Sequence, residues 1–403
     1  MSVLSGKNIL IGISAGIAAY KTPLLVRLLV KAGANVQVVM TPASKDFVTP
    51  LTLSTVSNNP VHSEFTKSED ENAVWTNHVE LGLWADFMLI APATANTLSK
   101  MANGACDNLL IATYLSAKCP VYIAPAMDLD MYKHGSTKQS LDTLAKYGNI
   151  IIPATEGELA SGLVGKGRME EPENIVSFIE NDIRNKLPLK HKKVLITAGP
   201  TYEAIDPVRF IGNHSSGKMG FEIAKQAAAF GANVVLITGP TQQTLNHKLV
   251  QVIPVVSAQQ MFTETHKHFD TCDIAILSAA VSDYMPKNKA LQKIKKKDQA
   301  LTIELVKTPD ILASLGKIKK HQLLVGFALE TENEIENAKQ KLKSKNLDLI
   351  VLNSLNDQGA GFGTNTNKVT FIDNQDNIIN FELKSKQEVA LDLLTKILKQ
   401  THA

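Results

Sequence analysis

Residues 196–220, ITAGPTYEAIDPVRFIGNHSSGKMG, gather more polar chemistry than any other stretch of this 403-residue chain. An apolar strand ending at Ile196 runs into a Thr-Ala-Gly-Pro turn. Arg209, Asn213, His214, Ser215, Ser216, Gly217 and Lys218 then lead into a helix expected at 219–230. Glycine and small hydroxyls let backbone N–H groups approach an anion closely, and a helix start adds the positive end of its dipole. Asn213 is a neutral donor and acceptor able to hold a carbonyl, while Arg209 and Lys218 can neutralise phosphate. A plain capped helix behind a polar loop would need few of these groups.

The pattern AGPT-x-E-x-x-DPVR-x-I-x-N-x-SSGKMG resembles the ligase half of the bifunctional phosphopantothenoylcysteine decarboxylase/phosphopantothenate–cysteine ligase family of bacterial coenzyme A synthesis. The resemblance implies CTP-dependent ligation of cysteine to 4′-phosphopantothenate through an acyl-cytidylate. Asn213 would bind the acyl intermediate and Lys293 would stabilise the reacting phosphate. The same resemblance puts Ser278, Ala279, Asp283, Lys293, Pro309, Asp310, Ile311, Leu312, Phe327, Lys341 and Lys345 at the CTP site, with Mg²⁺ as helper and no metal ligands identified. Lys341 and Lys345 are one helical turn apart, so both ammonium groups can face one polyphosphate. The lysine run 295–297, read alone, fits a solvated surface or a nucleic-acid patch. It lacks interleaved aromatics, and a net charge of +3 is too small to argue for nucleic acid. The glycines at 359, 361 and 363 precede a strand expected at 368–372, so they read as a hairpin or flap.

Such a family requires a flavin-dependent decarboxylase in the N-terminal half. The turn Gly12-Ile13-Ser14-Ala15-Gly16 can offer amides to phosphate, but its spacing is not GxGxxG, and alone it reads equally as a tight turn. The second strand ends in Thr41 and Ser44 hydroxyls rather than a ribose-binding carboxylate. Loops 91–97 and 124–132 resemble signatures of the homo-oligomeric flavin-containing cysteine decarboxylases. That likeness implies FMN on Gly12, Ser14, Gly16, Thr41, Ser44, Pro92, Ala93, Thr94 and Ala95, and substrate on Asn96, Ala126, Met127 and Asp128. His78 matches the family's catalytic histidine, and Ser161 stands where the family carries a catalytic cysteine.

Two positions depart from the family. Its Pro-x-Met-Asn is Pro125-Ala126-Met127-Asp128 here, and its Ala-Cys-Gly is Ala160-Ser161-Gly162. An ionised Asp128 beside the substrate carboxylate would cost about 1–4 kcal/mol at contact distance, unless it stays protonated. A hydroxyl is also a far weaker acid than a thiol of pKa about 8.5. Two working halves are therefore one reading, and an active ligase fused to a flavin domain with impaired decarboxylase activity is the alternative. An unrelated nucleotide-dependent oxidoreductase is a third, disfavoured by the 213–219 loop and the missing acidic ribose ligand.

To position these loops the chain needs two α/β series. Strands are expected at 8–13, 36–40, 87–90, 121–124 and 150–152, then at 193–197, 233–237, 275–277, 323–327 and 349–352, with a helix at 17–32 and others between. The fold expected is α/β, two doubly wound, Rossmann-like parallel-sheet domains with ligands at the carboxyl ends of the strands. The polar, proline-bearing stretch 185–192 sets the boundary near Lys190, giving a decarboxylase domain at 1–190 and a ligase domain at 191–403. Three cysteines cannot staple a secreted domain, and no signal or membrane-spanning run is evident, so a cytoplasmic protein is expected. Family resemblance further implies a homo-oligomer of trimeric flavin units and dimeric ligase units, closing as a dodecamer.

Overall fold

The computed structural model describes residues 2–66, 75–159, 161–295, 301–354 and 363–401. The chain divides into two compact units, Met1–Asn185 and Lys186–Ala403, at the first residue of the polar stretch read as the seam. Among the described residues no helix is long and apolar enough to cross a membrane.

The first unit is a parallel sheet of β1 (Asn8–Ile13), β2 (Asn35–Met40), β3 (Val61–His62), β4 (Phe87–Ala93), β5 (Val121–Pro125) and β6 (Ile150–Ile151), ordered 3-2-1-4-5-6. The period-2 rule shows in β1. Ile9, Ile11 and Ile13 pack on one face and Leu10 on the other, all fully buried. Helices α1 (Thr22–Lys31), α2 (Pro50–Ser57), α3 (His78–Trp84), α4 (Ala95–Asn103), α5 (Leu109–Ser116), α6 (Leu129–Lys133), α7 (Gly135–Lys146) and α8 (Pro172–Asn185) flank it. A hairpin, β7 (Thr155–Glu158) with β8 (Val164–Arg168), forms a flap. The helix expected at 17–32 begins instead as a 3-10 turn, Ile17–Lys21. Pro23 has no N–H to donate and is at home only in a first turn, so the α-helix starts at Thr22.

The second unit holds an eight-stranded sheet ordered 13-12-9-14-17-18-20-21. Its strands and their neighbours in the chain are β9 (Lys193–Ala198), β10 (Tyr202–Ala204), β11 (Phe210–Gly212), β12 (Asn233–Thr238), β13 (Val250–Pro254), β14 (Ile274–Leu277), β15 (Tyr284–Pro286), β16 (Leu305–Lys307), β17 (Leu323–Glu330), β18 (Leu349–Ser354), β19 (Thr366–Asn367), β20 (Val369–Asp373), β21 (Ile378–Asn380) and β22 (Lys384–Ser385). The helices are α9 (Lys218–Ala229), α10 (Ala258–Phe269), α11 (Ile311–Ile318), α12 (Glu334–Ser344) and α13 (Lys386–Thr401). β12, β9, β14, β17 and β18 pair in parallel as expected and β13 adds an unexpected parallel edge, whereas β20 and β21 add an antiparallel one, so this sheet is mixed. Val194 and Ile196 of β9 face α9 and α13, and Leu195 faces the α10–α12 side. The paired hairpins β10–β11 and β15–β16 stand outside the main sheet. At three residues per strand they carry no periodicity to read, and β13 is an exposed edge strand without an apolar run.

Candidate functional sites

In the first unit the carboxyl ends of β1, β2, β4 and β5 open on a cavity of about 1000 Å³, closed on one side by the flap. Gly16, Thr41, Thr94 and Ala95 line it, as do Asn96, Ala126, Met127, Asp128 and Ser161. The other residues expected to touch a cofactor lie beneath this wall and build it. Gly12 is buried where a Cβ would come within 2.5 Å of Leu110 Cδ1 and 2.6 Å of Ile90 Cδ1, so its reason is packing against α5. Ser14 Oγ donates to the Pro92 carbonyl at 2.7 Å and accepts from the Thr94 amide at 3.0 Å, which pins two loops together. Ser44 Oγ donates to the Thr41 carbonyl at 2.7 Å. Pro92 and Ala93 are buried at the end of β4.

Two features of the wall fit an anionic cofactor. α4 starts at Thr94 with no side-chain cap, leaving first-turn amides for a ligand. Thr41 Oγ1 is buried with no hydrogen-bond partner among the described residues, which leaves it open to a water or a ligand group. Asp128, in contrast, is engaged. Its Oδ1 accepts from the Leu129 amide at 2.5 Å and caps α6, a task asparagine performs equally well.

His78 is not brought to this cavity by its own chain. It opens α3 behind Asn77, which caps the helix through the amides of Val79 and Glu80. Its ring meets Phe65 edge-on at 6.0 Å, and Phe65 stacks on Trp75 at 5.1 Å. His78 Nδ1 is buried with no hydrogen-bond partner among the described residues. Sequence reasoning assigned no role to Lys21, which is buried in the wall. Its ammonium donates to the Met169 carbonyl and to Glu171 Oε1, each at 2.9 Å, tying the first turn to the base of the flap. That contact, with Arg168 nearby, holds the Glu171 carboxyl below its usual value.

In the second unit a cavity of about 700 Å³ lies at the carboxyl ends of β9, β14 and β17. Asn213, Ser278, Ala279, Asp283, the stretch Pro309, Asp310, Ile311 and Leu312, and Phe327, Lys341 and Lys345 all line it. Its floor is the start of α9. Gly217 holds φ +78 and gives the helix no side-chain cap, so free amides face the cavity. A Cβ on Gly220 would meet Ala198 Cβ at 2.5 Å and Ser278 Oγ at 2.7 Å; only glycine lets this helix start settle on β9. Asn213 Nδ2 donates to the carbonyls of Ala280 at 2.9 Å and Val281 at 3.3 Å, bracing the opposite wall.

Five lysines line this space, residues 218, 307, 341, 345 and 386, against two aspartates. Lys345 pairs with Asp310 at 2.8 Å and Lys341 with Glu330 at 3.0 Å. Burial pushes the Asp310 carboxyl up, but Lys345 and the Ala313 amide outweigh it and leave the group below its ordinary value. Lys386, buried at the start of α13, was not anticipated. Its place beside the cavity depends on β19–β22 folding back, which no local pattern reveals. Burial, then the nearby Lys218 ammonium, holds Lys386 below the ordinary lysine range.

Lys293 does not line the cavity; it is exposed in a loop fastened to the β10–β11 hairpin. Arg209 likewise turns from the cavity to pair with Asp206. Lys296, Lys297 and Ala160, and the glycines 359 and 361, lie outside the described residues. Among the described residues no group of three or more His, Cys, Asp or Glu is placed to hold a metal ion.

Comparison with known proteins divides the chain into the same two parts. Residues 2–184 match the family described as Flavoprotein, and residues 189–401 match the DNA/pantothenate metabolism flavoprotein C-terminal domain. The chain is 45% identical to the coenzyme A biosynthesis bifunctional protein CoaBC of Bacillus subtilis, over 98% of this chain and 97% of that one. Identity to the protein of the same name from Haemophilus influenzae is 44%, over 98% of both chains. A protein of an unknown prokaryotic organism, named cysteine/cysteine sulfinic acid decarboxylase, is 54% identical over 88% of this chain and 100% of its own length.

Proposed function

The chain belongs to the family of bifunctional coenzyme A biosynthesis proteins, and on that premise we propose how its two cavities divide the work. It is a flavoprotein enzyme with phosphopantothenate–cysteine ligase and phosphopantothenoylcysteine decarboxylase activities. We assign the ligase to residues 191–403 and the decarboxylase to residues 1–190.

The observation that carries the ligase assignment is the uncapped start of α9 facing five lysines in one cavity. CTP is the nucleotide in this reading. The phosphopantothenate carboxylate attacks its α-phosphate and pyrophosphate leaves; the cysteine amine then attacks the acyl carbonyl and CMP leaves. Free α9 amides and lysine ammonium groups offset charge on the phosphates, most usefully where it grows in the transition state. Asn213, braced on the Ala280 and Val281 carbonyls, keeps its Oδ1 and a neutral face for the acyl group. Mg²⁺ would arrive on the triphosphate, since no protein cage for it is found among the described residues.

In the other cavity FMN would be held by Gly16, Thr41, Thr94 and Ala95, with substrate against Asn96, Met127 and Asp128. The flavin, when bound, supplies a reversible two-electron oxidation that makes loss of carbon dioxide easy. The chain's own residues bind and orient. Thr41 Oγ1 gains a partner, the α4 amides take an anion, and Lys21 holds the flap base that carries Ser161 over the site.

His78 would come from a second copy. It stands outside the cavity of its own chain, beside the exposed apolar side chains of Trp75, Val79 and Leu83. This supports a homo-oligomer; three-fold flavin units, two-fold ligase units and hence a dodecamer rest on the family resemblance alone. A monomer in light scattering at micromolar concentration would reject it.

The deciding experiment follows products by mass spectrometry from 4′-phosphopantothenate, CTP, Mg²⁺ and cysteine. Pyrophosphate, CMP and 4′-phosphopantetheine are expected, with a flavin absorption band in the pure protein. No pyrophosphate release would overturn the ligase assignment. Free cysteine belongs in a parallel reaction, because the 54%-identical relative is named for decarboxylating it.

A further inference from the structure

We propose that Asp206 is a positioning residue for the ligase reaction, acting through the backbone of Ile294 on Lys293; this rests on the phosphate role that the family resemblance implies for Lys293, which stands outside the cavity lining in the structure. The Asp206 side chain sits in the turn between β10 and β11 and is shut off from solvent. Its Oδ1 accepts from the amides of Val208 and Arg209, both at 2.8 Å, which closes the turn. Its Oδ2 accepts from Arg209 Nε at 3.0 Å and Nη2 at 2.5 Å, and also from the Ile294 amide at 3.1 Å. Arg209 Nη2 donates onward to the Ile294 carbonyl at 2.8 Å. Both polar backbone groups of Ile294 therefore end on one ion pair.

A turn needs only the first two of these bonds. The others reach 88 residues along the chain to hold a loop with few anchors of its own. Ala290 donates to the Ile205 carbonyl at 3.0 Å, a second tie to the same hairpin. Lys293 is exposed and has no hydrogen bond or ion pair with any described residue, so its backbone decides where its ammonium can reach. The far end of the hairpin carries Asn213, hydrogen-bonded to the cavity wall. One short hairpin thus carries Asn213 at one end and holds the loop of Lys293 at the other. The Arg209 guanidinium, chiefly, holds the Asp206 carboxyl far below the usual carboxylate range, so the clamp stays charged at any pH at which the enzyme works.

The test uses the full-length protein and two variants. Asp206→Ala removes the clamp. Ile294→Pro leaves the Asp206 bonds to the Val208 and Arg209 amides in place and deletes the loop's donor. It also fixes φ at 294 and restricts the Lys293 backbone, so a wild-type result in it is the decisive one. It covers the case in which Asp206→Ala fails to fold. Hydrogen–deuterium exchange of the peptide covering 287–295 should be at least about tenfold faster in both. Single-turnover pyrophosphate release at saturating CTP should fall by a factor on the order of 10 to 100, the scale of a misplacement near 1 Å, with the KM for CTP little changed. Asp206→Glu should recover part of the loss. Exchange and pyrophosphate release within twofold of wild type in Ile294→Pro would overturn the proposal. Lys293→Gln separates the two ideas. If it slows pyrophosphate release while Ile294→Pro does not, the role of Lys293 stands and that of Asp206 falls; if Lys293→Gln runs at the wild-type rate, the role of Lys293 falls instead.

Discussion

Replacing Asn213 by aspartate swaps an NH₂ donor for a charged oxygen while keeping the side chain's shape. In the structure Nδ2 lies 2.9 Å from the Ala280 carbonyl and 3.3 Å from that of Val281. Losing a hydrogen bond of this kind costs about 0.5–1.5 kcal/mol. The new charge also faces the phosphate of the acyl-cytidylate. At a separation of roughly 6 Å in an open cavity, with effective dielectric constants from about 80 down to about 20, the repulsion is about 0.7–2.8 kcal/mol. Together these give about 1–4 kcal/mol, or a fivefold to thousandfold slower second half-reaction. Rapid-quench measurement of pyrophosphate and CMP in one time course reads both steps. The pyrophosphate burst should persist while CMP release on adding cysteine collapses. Asn213→Leu, which loses the donor without adding charge, should fall between wild type and Asn213→Asp. CMP release by Asn213→Asp within twofold of wild type would refute the reasoning.

Three further outcomes follow from the two cavities. Thr41→Val removes a buried hydroxyl with no partner among the described residues, so the flavin-free protein should unfold at the same or a higher temperature while flavin binds about 2- to 12-fold more weakly by fluorescence titration. Asp310→Asn should keep the α11 cap on the Ala313 amide yet release Lys345, leaving thermal stability intact and lowering the KM for CTP; Asp310→Ala should free the same lysine but lose about 1 kcal/mol of cap. Because burial and the Lys218 ammonium hold Lys386 below the ordinary lysine range, the cavity loses a positive charge at a lower pH than an exposed lysine would. The KM for CTP should therefore begin to climb before pH reaches the ordinary lysine value of about 10.4, and Lys386→Gln should flatten the rise. The sign for folding is opposite. Between the lowered and the ordinary pKa the unfolded chain holds the proton better, so this residue's contribution to stability increases with pH there.

Much of this protein is legible in its residues taken in order. Short apolar runs such as 8–13 and 193–197, each bounded by turn residues and followed by a helical stretch, read as strands buried on both faces, and they are. Glycine and small hydroxyls at 215–220 announce a helix start with free amides, and 309–312 a capped helix. Those signals are local: a few consecutive dihedral angles and hydrogen bonds express them.

What local signals cannot carry is which distant groups share a space. Gly12, Ser14 and Ser44 look like ligand residues in sequence, yet folding makes them the wall's foundation, with Gly12 answering to Leu110 nearly a hundred residues later. His78 leaves its own chain's cavity because Asn77 starts α3 elsewhere on the surface. Lys386 becomes a cavity residue only when β22 pairs with β19. Arg209, read as a phosphate ligand, is instead drawn to Asp206 and Ile294. In each case the deciding term is long-range. Burial and charge pairing are settled between segments tens of residues apart, and only the folded backbone brings those segments within a few ångströms.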